Sequence, residues 1–436
     1  MKRMIAMLAL TLVLAASAWA ATPTTTVIYN FPCNEGYPYC SNNVFGINTP
    51  ASSLIFDTAG NLYGTAAYNG TYYEGGVFKL TPPTTTGGTW TETDLYDFGG
   101  VLGDGAQPMG SLTLSGGNLY GTASGGGFNG GGTVFELSPP KTEGGAWTQT
   151  DLYEFCSAAN CTDGATPLAN VLLIGGKLYG TTSAGGANGY GTVFELIKPT
   201  KKGLYWTLKV LSSFTGGSDG ANPMSNLSYL SGNFYGSTYN GGANGYGVIF
   251  ELKPSGTSWS ENVLYTFTGA GTGGADAYPT GPLVLTGGNI YGTAYGVMST
   301  YGAYPASGEV FELKPSGSTW TENVLYTFTG GVDGGAPVGG VVKKGTTLYG
   351  TTFSGGTDTC GGFCPGDGVV YKLTYKVVKT KGVWTESVLA DFDVNINEYS
   401  EQYPMGALVL DKSGNLYGTT STGGANFTGT VFETTP

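Results

Sequence analysis

The stretch KLYGTTSAGGANGYGTVFEL, from Lys177 to Leu196, contains the pattern that decides the fold of this chain. Two short segments, KLYGTT and GTVFEL, are rich in β-forming residues and flank a connection of glycine and asparagine. β-Branched and aromatic residues favour strands, whereas glycine and asparagine supply turn conformations. The stretch therefore predicts two antiparallel strands, and it raises the question whether the loop between them also holds a ligand.

The same pattern occurs seven times along the chain. Preceded by Leu, Phe or Ile, the tripeptide Tyr-Gly-Thr or Tyr-Gly-Ser begins at Tyr63, Tyr120, Tyr179, Tyr235, Tyr291, Tyr349 and Tyr417. Each copy belongs to a unit of four segments in a fixed order: A, such as PLVL; B, such as NLYGT; C, such as TVFEL; and D, such as WTENVLYTF. Internal repeats of this kind indicate a fold built from stacked copies of one small element.

Each segment is short and is bounded by Gly, Pro, Asn or Asp, so every unit is interpreted as four strands. Glycine turns join A to B, and no connection has room for a crossover helix, which makes the strands antiparallel. Seven such units predict an all-β fold, a seven-bladed β-propeller of four-stranded antiparallel blades. The repeat units span about residues 24–83, 89–140, 146–199, 205–254, 258–315, 319–374 and 383–436.

The two ends of the chain predict how the ring closes. TTTVIYNF at Thr24–Phe31 matches segment D, whereas the chain ends on segment C in TGTVFETTP at Thr428–Pro436. Pairing of the N-terminal strand with the last strand C completes the seventh blade and removes two open strand edges. We therefore expect residues 21–436 to form a single propeller.

Residues 1–20 are predicted to be a secretory signal peptide. Lys2 and Arg3 precede an apolar run, and an A-x-A cleavage site ends at Ala20. No later segment is long and apolar enough to span a membrane. We therefore expect an exported monomer, secreted or periplasmic, with no membrane span after signal cleavage.

Charge and composition exclude several classes of function. Without Lys2 and Arg3, 16 lysines face 30 acidic residues, which leaves a net charge of −14 and disfavours nucleic acid and anionic membranes as partners. The sequence has no histidine, and Arg3 is its only arginine. These absences exclude histidine-dependent nucleophiles, histidine-ligated metals and arginine clamps on phosphate. We expect no required cofactor.

Six cysteines lie in three close pairs, which is typical of short disulfides in an exported protein. We predict the disulfides Cys33–Cys40, Cys156–Cys161 and Cys360–Cys364. A soft metal site is the alternative, but the pairs lie far apart in sequence and lack C-x2-C spacing. Each disulfide closes a short loop, so it stiffens that loop more than it stabilises the whole fold.

The unit GNLYGTTSTGGANFTGTVFE, Gly414–Glu433, resembles the Gloeo/Verruco (GloVer) tandem repeat of exported bacterial proteins. The likeness extends over nearly all of Thr24–Pro436. It implies export and tandem repeats, and it implies no biochemical activity. Relatives in that family often carry a C-terminal surface anchor, whereas this chain stops at Pro436, so we expect free secretion or a periplasmic location.

Three repeated positions are assigned to the scaffold. We expect the tyrosines of strand B and the tryptophans of strand D to pack between blades as core residues. The glutamate of VFEL is replaced by Lys79 and Lys372 in two units. Because its charge reverses between units, we expect this position to be exposed or at an edge.

One face of the predicted ring, which we call the loop face, combines carboxylates, aromatic rings and all three disulfides. In an antiparallel blade this face carries both the B–C loops and the D–A loops. Its candidate binding residues are Asp104, Asp163, Asp219, Asp276 and Asp333 in D–A loops, and Tyr72, Phe128, Tyr190, Tyr246, Tyr301, Phe363 and Phe427 in B–C loops. Aromatic rings stack on sugars and carboxylates accept their hydroxyl protons, although Asp-Gly is also common turn chemistry.

We therefore expect a non-enzymatic binding or interaction propeller whose loop face takes a polysaccharide or another surface protein. One alternative is a carbohydrate-active hydrolase or lyase that uses carboxylates or tyrosine; its first candidates are Glu398, Glu401, Asp391 and Asp393, where unit seven departs from the repeat. Another alternative is a structural envelope or matrix protein. Ca²⁺ is compatible with the loop aspartates, but no ligand spacing is diagnostic and no other metal is expected.

Overall fold

The computed structural model describes residues 22–32, 47–50, 52–85, 87–142, 144–201, 206–271, 274–297, 307–357, 366–392 and 402–436. Its strands form seven four-stranded antiparallel sheets in a ring, which confirms the seven-bladed β-propeller. Across these ranges, no helix has the length and apolar character that a membrane crossing requires. The proposed signal segment lies outside the described residues.

Blades 1 to 7 each use the predicted strand order A-B-C-D. The A strands are β3 (Ile55–Phe56), β9 (Thr113–Ser115), β14 (Leu172–Ile174), β18 (Ser228–Leu230), β22 (Val284–Thr286), β26 (Val341–Lys344) and β30 (Val409–Leu410). The B strands are β4 (Leu62–Ala66), β10 (Asn118–Ala123), β15 (Lys177–Thr182), β19 (Asn233–Thr238), β23 (Asn289–Ala294), β27 (Thr347–Thr351) and β31 (Leu416–Thr420).

The C and D strands complete the blades. The C strands are β6 (Gly76–Thr81), β12 (Thr133–Ser138), β16 (Thr192–Ile197), β20 (Val248–Ser255), β24 (Glu309–Ser316), β28 (Val369–Val378) and β32 (Thr430–Thr435). The D strands are β7 (Thr91–Asp97), β13 (Thr148–Glu154), β17 (Thr207–Ser213), β21 (Ser258–Thr266), β25 (Thr319–Thr327), β29 (Lys381–Asp391) and, for blade 7, β1 (Thr24–Asn30). Two small ladders pair β2 (Ile47–Asn48) with β5 (Tyr68–Asn69) and β8 (Gly105–Ala106) with β11 (Gly125–Gly126).

The chain ends close the ring as the sequence predicts. Strand β1 pairs antiparallel with β32, from Thr24 opposite Thr435 to Asn30 opposite Thr430. Blade 7 therefore takes three strands from the C-terminus and its outer strand from the N-terminus.

Each seam between neighbouring blades contains one buried pair of aromatic rings, which we call the seam pair. The phenylalanine that follows strand D meets the aromatic residue of strand C in the next blade, edge to face, at centroid distances of 4.9 to 5.5 Å. The seven pairs are Phe31–Phe78, Phe98–Phe135, Phe155–Phe194, Phe214–Phe250, Phe267–Phe311, Phe328–Tyr371 and Phe392–Phe432. Edge-to-face packing contributes about 0.5–1.5 kcal/mol beyond the burial of apolar area.

The glycine of the Tyr-Gly-Thr tripeptide makes room for the strand-C ring of the seam pair. A Cβ atom on Gly180 would lie 2.7 Å from Cζ of Phe194, and one on Gly121 would lie 2.5 Å from Cζ of Phe135. Real Cβ atoms do not approach other atoms so closely. The repeated tripeptide thus keeps glycine for a steric reason, and the ladder register, which places each such glycine directly opposite the strand-C ring, brings the two together.

The tyrosines and tryptophans pack between blades, as expected. Tyr63 of blade 1 lies in the core cluster of blade 2 with Leu119, and Trp147 packs against the same cluster. Five other seams repeat this arrangement, whereas the seam between blades 6 and 7 has Tyr349 without a tryptophan because β1 carries none.

The expectation that the VFEL glutamate is exposed was wrong. Glu195, Glu251 and Glu312 are buried, and each accepts a hydrogen bond from the strand-B tyrosine hydroxyl, at 3.1, 2.8 and 2.7 Å. Where lysine replaces glutamate, as at Lys79 and Lys372, the ammonium group lies 6.0 and 5.9 Å from the centre of the tyrosine ring. The charge reverses because a tyrosine offers a hydroxyl donor to an anion and a π face to a cation.

Two glycines of blade 2 give a matched test of the seam pair. Gly121→Ala should lower the free energy of unfolding by about 1–3 kcal/mol, because the added methyl group overpacks the seam against Phe135. Gly125→Ala should be nearly neutral, since its Cβ would have no neighbour closer than 3.8 Å and its φ is not positive. Thermal unfolding followed by circular dichroism checks both; equal Tm values for the two variants would contradict the steric role.

Candidate functional site at the loop face and pore rim

The loop aspartates hold the D–A loops together. Each accepts a backbone N–H from the start of its own loop, in the pairs Asp104–Gly99, Asp163–Ser157, Asp219–Thr215, Asp276–Thr268 and Asp333–Thr329, at 2.8 to 3.1 Å. In all of these loops except the one with Asp219, a strand-D tyrosine hydroxyl also donates to the carboxylate. The carboxylates therefore meet groups of their own loop and do not converge on the pore.

The Gly-Gly-Ala-Asn loop at Ser183–Gly191 is folded onto the end of strand D in its own blade. The N–H of Ala187 donates to Oγ of Ser213 at 2.7 Å, and Nδ2 of Asn188 donates to the carbonyl of Phe214 at 3.3 Å. These contacts account for the recurring asparagine. The loop is thus a connection with its polar groups bonded internally.

Asp391 has this same anchoring role in blade 6. Its carboxylate accepts the N–H of Thr357 at 3.0 Å, at the position that Ser213 occupies in blade 3. The other candidates for catalysis, Asp393, Glu398 and Glu401, lie outside the described residues.

The B–C aromatic residues occupy different positions in their loops. Tyr190 and Tyr246 are equivalent, since each forms a parallel bridge with the first loop glycine, and Thr428 takes that position in blade 7. Phe128 instead matches Ala187, because the N–H of either residue bonds to the end of strand D. The sequence grouping missed these offsets because the loops differ in the residues around their glycines.

Exposure also differs among these aromatic side chains. Tyr72, Phe128 and Tyr190 are 50%, 69% and 44% exposed, whereas Tyr246 and Phe427 are half-buried. Tyr301 and Phe363 lie outside the described residues. Three exposed rings are therefore spread over blades 1 to 3.

One predicted disulfide is present. Cys156 and Cys161 are bonded within the D–A loop between blades 2 and 3. The carbonyl of Cys161 accepts the N–H groups of Gly164 and Gly186, both at 2.9 Å, so the crosslinked loop is tied to the neighbouring B–C loop. The pairs Cys33–Cys40 and Cys360–Cys364 lie outside the described residues.

A ring of strained residues, which the sequence analysis missed, surrounds one end of the central pore on the loop face. The residue before the proline of every D–A loop has a positive φ, between 43° and 61°. These seven rim residues are Thr49, Gln107, Thr166, Asn222, Tyr278, Ala336 and Tyr403. Non-glycine residues rarely adopt this conformation, and a following proline disfavours it further.

Hydrogen bonds on both sides hold the rim backbone in place. The N–H of Asn222 donates to the carbonyl of Tyr190 in the preceding blade at 2.9 Å, and its carbonyl accepts the N–H of Tyr239 at 3.0 Å. The carbonyl contact recurs in all seven blades. The rim thus keeps one backbone conformation while its side chain changes from blade to blade.

The rim leads into a narrow pore. Two positions after six of the rim residues, the side chains that line the pore are Met109, Leu168, Met224, Thr280, Val338 and Met405. They surround a cavity of about 110 Å³. Pockets that enclose a drug-sized ligand measure about 300–1,000 Å³, so a ligand of that size has to bind above this cavity.

Aromatic pairs occupy one half of the rim. Tyr278 stacks on Tyr239, with ring centroids 4.8 Å apart, and Tyr403 stacks on Phe353 at the same distance. Tyr246 meets Tyr278 edge to face at 5.6 Å, so it is the predicted aromatic that reaches the rim. The equivalent positions beyond blades 1 to 3, the residue after strand B and the rim residue of the next blade, are small or polar: Ala67 and Gln107, Ser124 and Thr166, and Ser183 and Asn222.

Strand D carries a further set of half-buried carboxylates in the seams. Opposite the leucine of strand C stand Glu92, Glu261, Glu322 and Glu386. Burial raises the pKa of Glu261 to about 7, and the nearby charge of Asp219 adds to this effect, against a hydrogen bond from Ser212. Burial likewise raises the pKa of Glu386 to about 7.

The raised pKa of Glu261 predicts a pH-dependent cost to folding. In the unfolded chain this carboxyl ionises near pH 4.5, whereas in the folded chain it keeps its proton until about pH 7, so wild-type stability falls as pH rises between these values. Glu261→Gln should therefore raise Tm at pH 8 and leave it nearly unchanged at pH 4.5. Blade 2 already carries Gln149 at this position. A shift of Tm that is the same at both pH values would contradict the assignment.

Comparisons with known proteins agree with the repeat architecture. A family model described as the Gloeobacter/Verrucomicrobia repeat matches residues 20–205 and 146–363. A search of curated proteins finds no sequence that matches this chain.

Similar solved structures share little sequence with the chain. Drosophila Semaphorin 2a is 11% identical, with 94% of this chain and 76% of that chain covered and a TM-score of 0.49. GH43B of the Bacteroides ovatus xyloglucan PUL is 13% identical, with coverages of 93% and 95% and a TM-score of 0.35. Trypanosoma rangeli sialidase, in complex with the inhibitor DANA, is 9% identical, with coverages of 94% and 59% and a TM-score of 0.35. Likeness at this level carries no argument about activity.

Proposed function

The chain belongs to the Gloeobacter/Verrucomicrobia repeat family, and we propose that it is an exported binding propeller that holds a neutral polysaccharide on its rim. One observation carries the proposal: the rim has a fixed backbone, with stacked aromatic pairs on one half and small polar side chains on the other. The apolar faces of sugar rings pack on aromatic side chains, while polar side chains set their orientation.

The aromatic half suits a polymer because its rings lie in several successive blades. Tyr239, Tyr278 and Phe353 are half-buried, so each packs against the scaffold and keeps part of its surface toward solvent. Rings held in this way lose little conformational entropy on binding. Gln107 and Thr166, across the pore, offer an amide and a hydroxyl to sugar hydroxyl groups.

Charge favours a neutral polymer over an anionic one. The chain beyond the signal segment has no arginine or histidine and a net charge of −14, so it repels uronate, sulfate and phosphate groups and lacks the usual residues that clamp them. Uncharged hydroxyl-rich ligands meet no such barrier.

The arrangement of carboxylates favours binding over hydrolysis. Neither the rim residues nor the residues that bond to their carbonyls include Asp or Glu. Glycoside hydrolysis needs two carboxyl groups beside the scissile bond, and the closest group of three in the described residues, which contains Glu309, is buried in a seam. Export is supported by the signal-like N-terminus and by the Cys156–Cys161 disulfide.

Serine substitutions on the aromatic half test the proposal without disturbing the strained backbone. Tyr239→Ser and Phe353→Ser install the residue that blades 2, 3 and 7 carry at this position, where its hydroxyl donates to the rim carbonyl at 2.9 to 3.1 Å. Each should weaken binding to the polysaccharide about tenfold, the loss expected for one aromatic contact of about 1.4 kcal/mol. Tyr375→Ser, at an exposed tyrosine near the opposite face, is the control and should bind like the wild type.

The measurement is co-sedimentation with cellulose, xylan and chitin, followed by calorimetric titration of soluble fragments of the polymer that binds. Unchanged affinity in both rim variants would show that the polysaccharide does not bind at the rim. If the protein binds none of these polymers and captures a surface protein instead, its partner is a protein and not a polysaccharide. Release of reducing ends during incubation would establish the enzymatic alternative.

A further inference from the structure

The seam between blades 4 and 5 breaks the repeat at a buried position. The first residue of strand C is glycine, threonine or valine in six blades, at Gly76, Thr133, Thr192, Val248, Val369 and Thr430. In blade 5 it is Glu309, whose side chain is only 1% exposed. A carboxylate is costly to bury without a partner, so this exception needs a physical reason.

Glu309 meets two other carboxylates in this seam. Oxygen atoms of Asp276, Glu309 and Glu322 all lie within 4.8 Å of one another. The hydroxyl of Tyr265 donates to Glu322 at 2.6 Å and to Asp276 at 3.3 Å, and the N–H of Thr268 donates to Asp276 at 3.0 Å. These donors bond to Asp276 and Glu322, and none of them bonds to Glu309.

Two oxygens in the group have no hydrogen-bond partner. They are Oε1 of Glu309 and Oε1 of Glu322, and both are buried. Ion pairs in the described ranges join lysines to other glutamates, at Glu195, Glu251 and Glu312, and none reaches this seam. No described lysine therefore pairs with these carboxyl groups.

We propose that Asp276, Glu309 and Glu322 bind a hard divalent cation, with Ca²⁺ as the ion that their chemistry fits best. Two oxygens on one Ca²⁺ lie at most about 5.2 Å apart, because each Ca–O distance is about 2.3–2.6 Å. The observed limit of 4.8 Å satisfies this condition for all three residues. Carboxylate oxygens without nitrogen or sulfur select hard cations over zinc or copper.

Shared protons are the competing explanation, which the calcium titration below distinguishes from a bound ion. A proton shared between Glu309 and Glu322 would join two of the three carboxylates, and it would not involve Asp276. The seam between blades 3 and 4 gives a comparison within the same chain. It has Asp219 and Glu261 in the corresponding places and Val248 where blade 5 has Glu309, so the scaffold of a seam does not require the third carboxylate.

The loop that carries Asp276 also departs from the repeat. The segment from Thr268 to Pro279 is three residues longer than its counterpart from Thr215 to Pro223 in blade 3. Asp276 lies two residues before the rim residue Tyr278, so a bound ion fixes the loop that leads to the rim. The calcium site is inferred from contacts within the seam alone, so it does not depend on what the rim binds.

Calcium titration of the full chain, stripped with a chelator, tests the site. At pH 7.5, Tm of the wild type should rise with Ca²⁺ up to about 10 mM, a range that extends beyond the about 0.1–1 mM affinities of extracellular calcium modules. Mg²⁺ should raise Tm less, because it demands octahedral geometry and loses its waters reluctantly. Tb³⁺ in place of Ca²⁺ should luminesce on excitation of tyrosine, since Tyr265 donates to two of the ligands.

Glu309→Thr is the decisive variant, because threonine stands at this position in three other blades. It should fold, and it should lose both the calcium shift of Tm and the Tb³⁺ signal. Glu261→Gln, in the neighbouring seam, should keep both. A wild-type Tm that ignores Ca²⁺ at every concentration would overturn the proposal in favour of shared protons, and so would equal calcium shifts in wild type and Glu309→Thr.

Discussion

The ring depends on one repeated interaction, the seam pair between the phenylalanine after strand D and the strand-C ring of the next blade. A single blade cannot bury these rings, because each pair draws its two members from different blades. The glycine of Tyr-Gly-Thr removes the one Cβ that would block the contact. Each unit therefore depends on its two neighbours for the burial of its rings. The pair Phe31–Phe78 shows that the seam at the N-terminal strand is built like the others.

The sequence was sufficient for the architecture because the repeat makes the architecture redundant. Strand order, loop face and ring closure all follow from segments that recur seven times, and a misreading of one unit is corrected by the other six. Comparison between the repeats gave a wrong prediction at one position, the glutamate of VFEL. Its replacement by Lys79 and Lys372 suggested exposure, whereas the tyrosine beside it accommodates either charge while the glutamates lie buried.

The candidate site was harder to predict because its signals are not visible in residue types. A positive φ at Gln107 or Thr166 is set by hydrogen bonds from two neighbouring loops, and neither residue type indicates it. The stacked pairs join residues almost 40 or 50 positions apart, such as Tyr239 with Tyr278. Glu309 left one sequence signal, a carboxylate where other units have small or β-branched residues, but its burial and its acidic neighbours needed the fold.

The account rests on a rim that the closed ring holds in place before any ligand arrives. Native-state hydrogen exchange on the free protein tests this most directly. The amides of Asn222 and Tyr278, which bond across blades, and those of the closing strand β1 should be protected as well as the amides of strand β16. Exchange of the rim amides at the rate of exposed loops, or early exchange throughout β1, would contradict a fixed rim on a closed propeller.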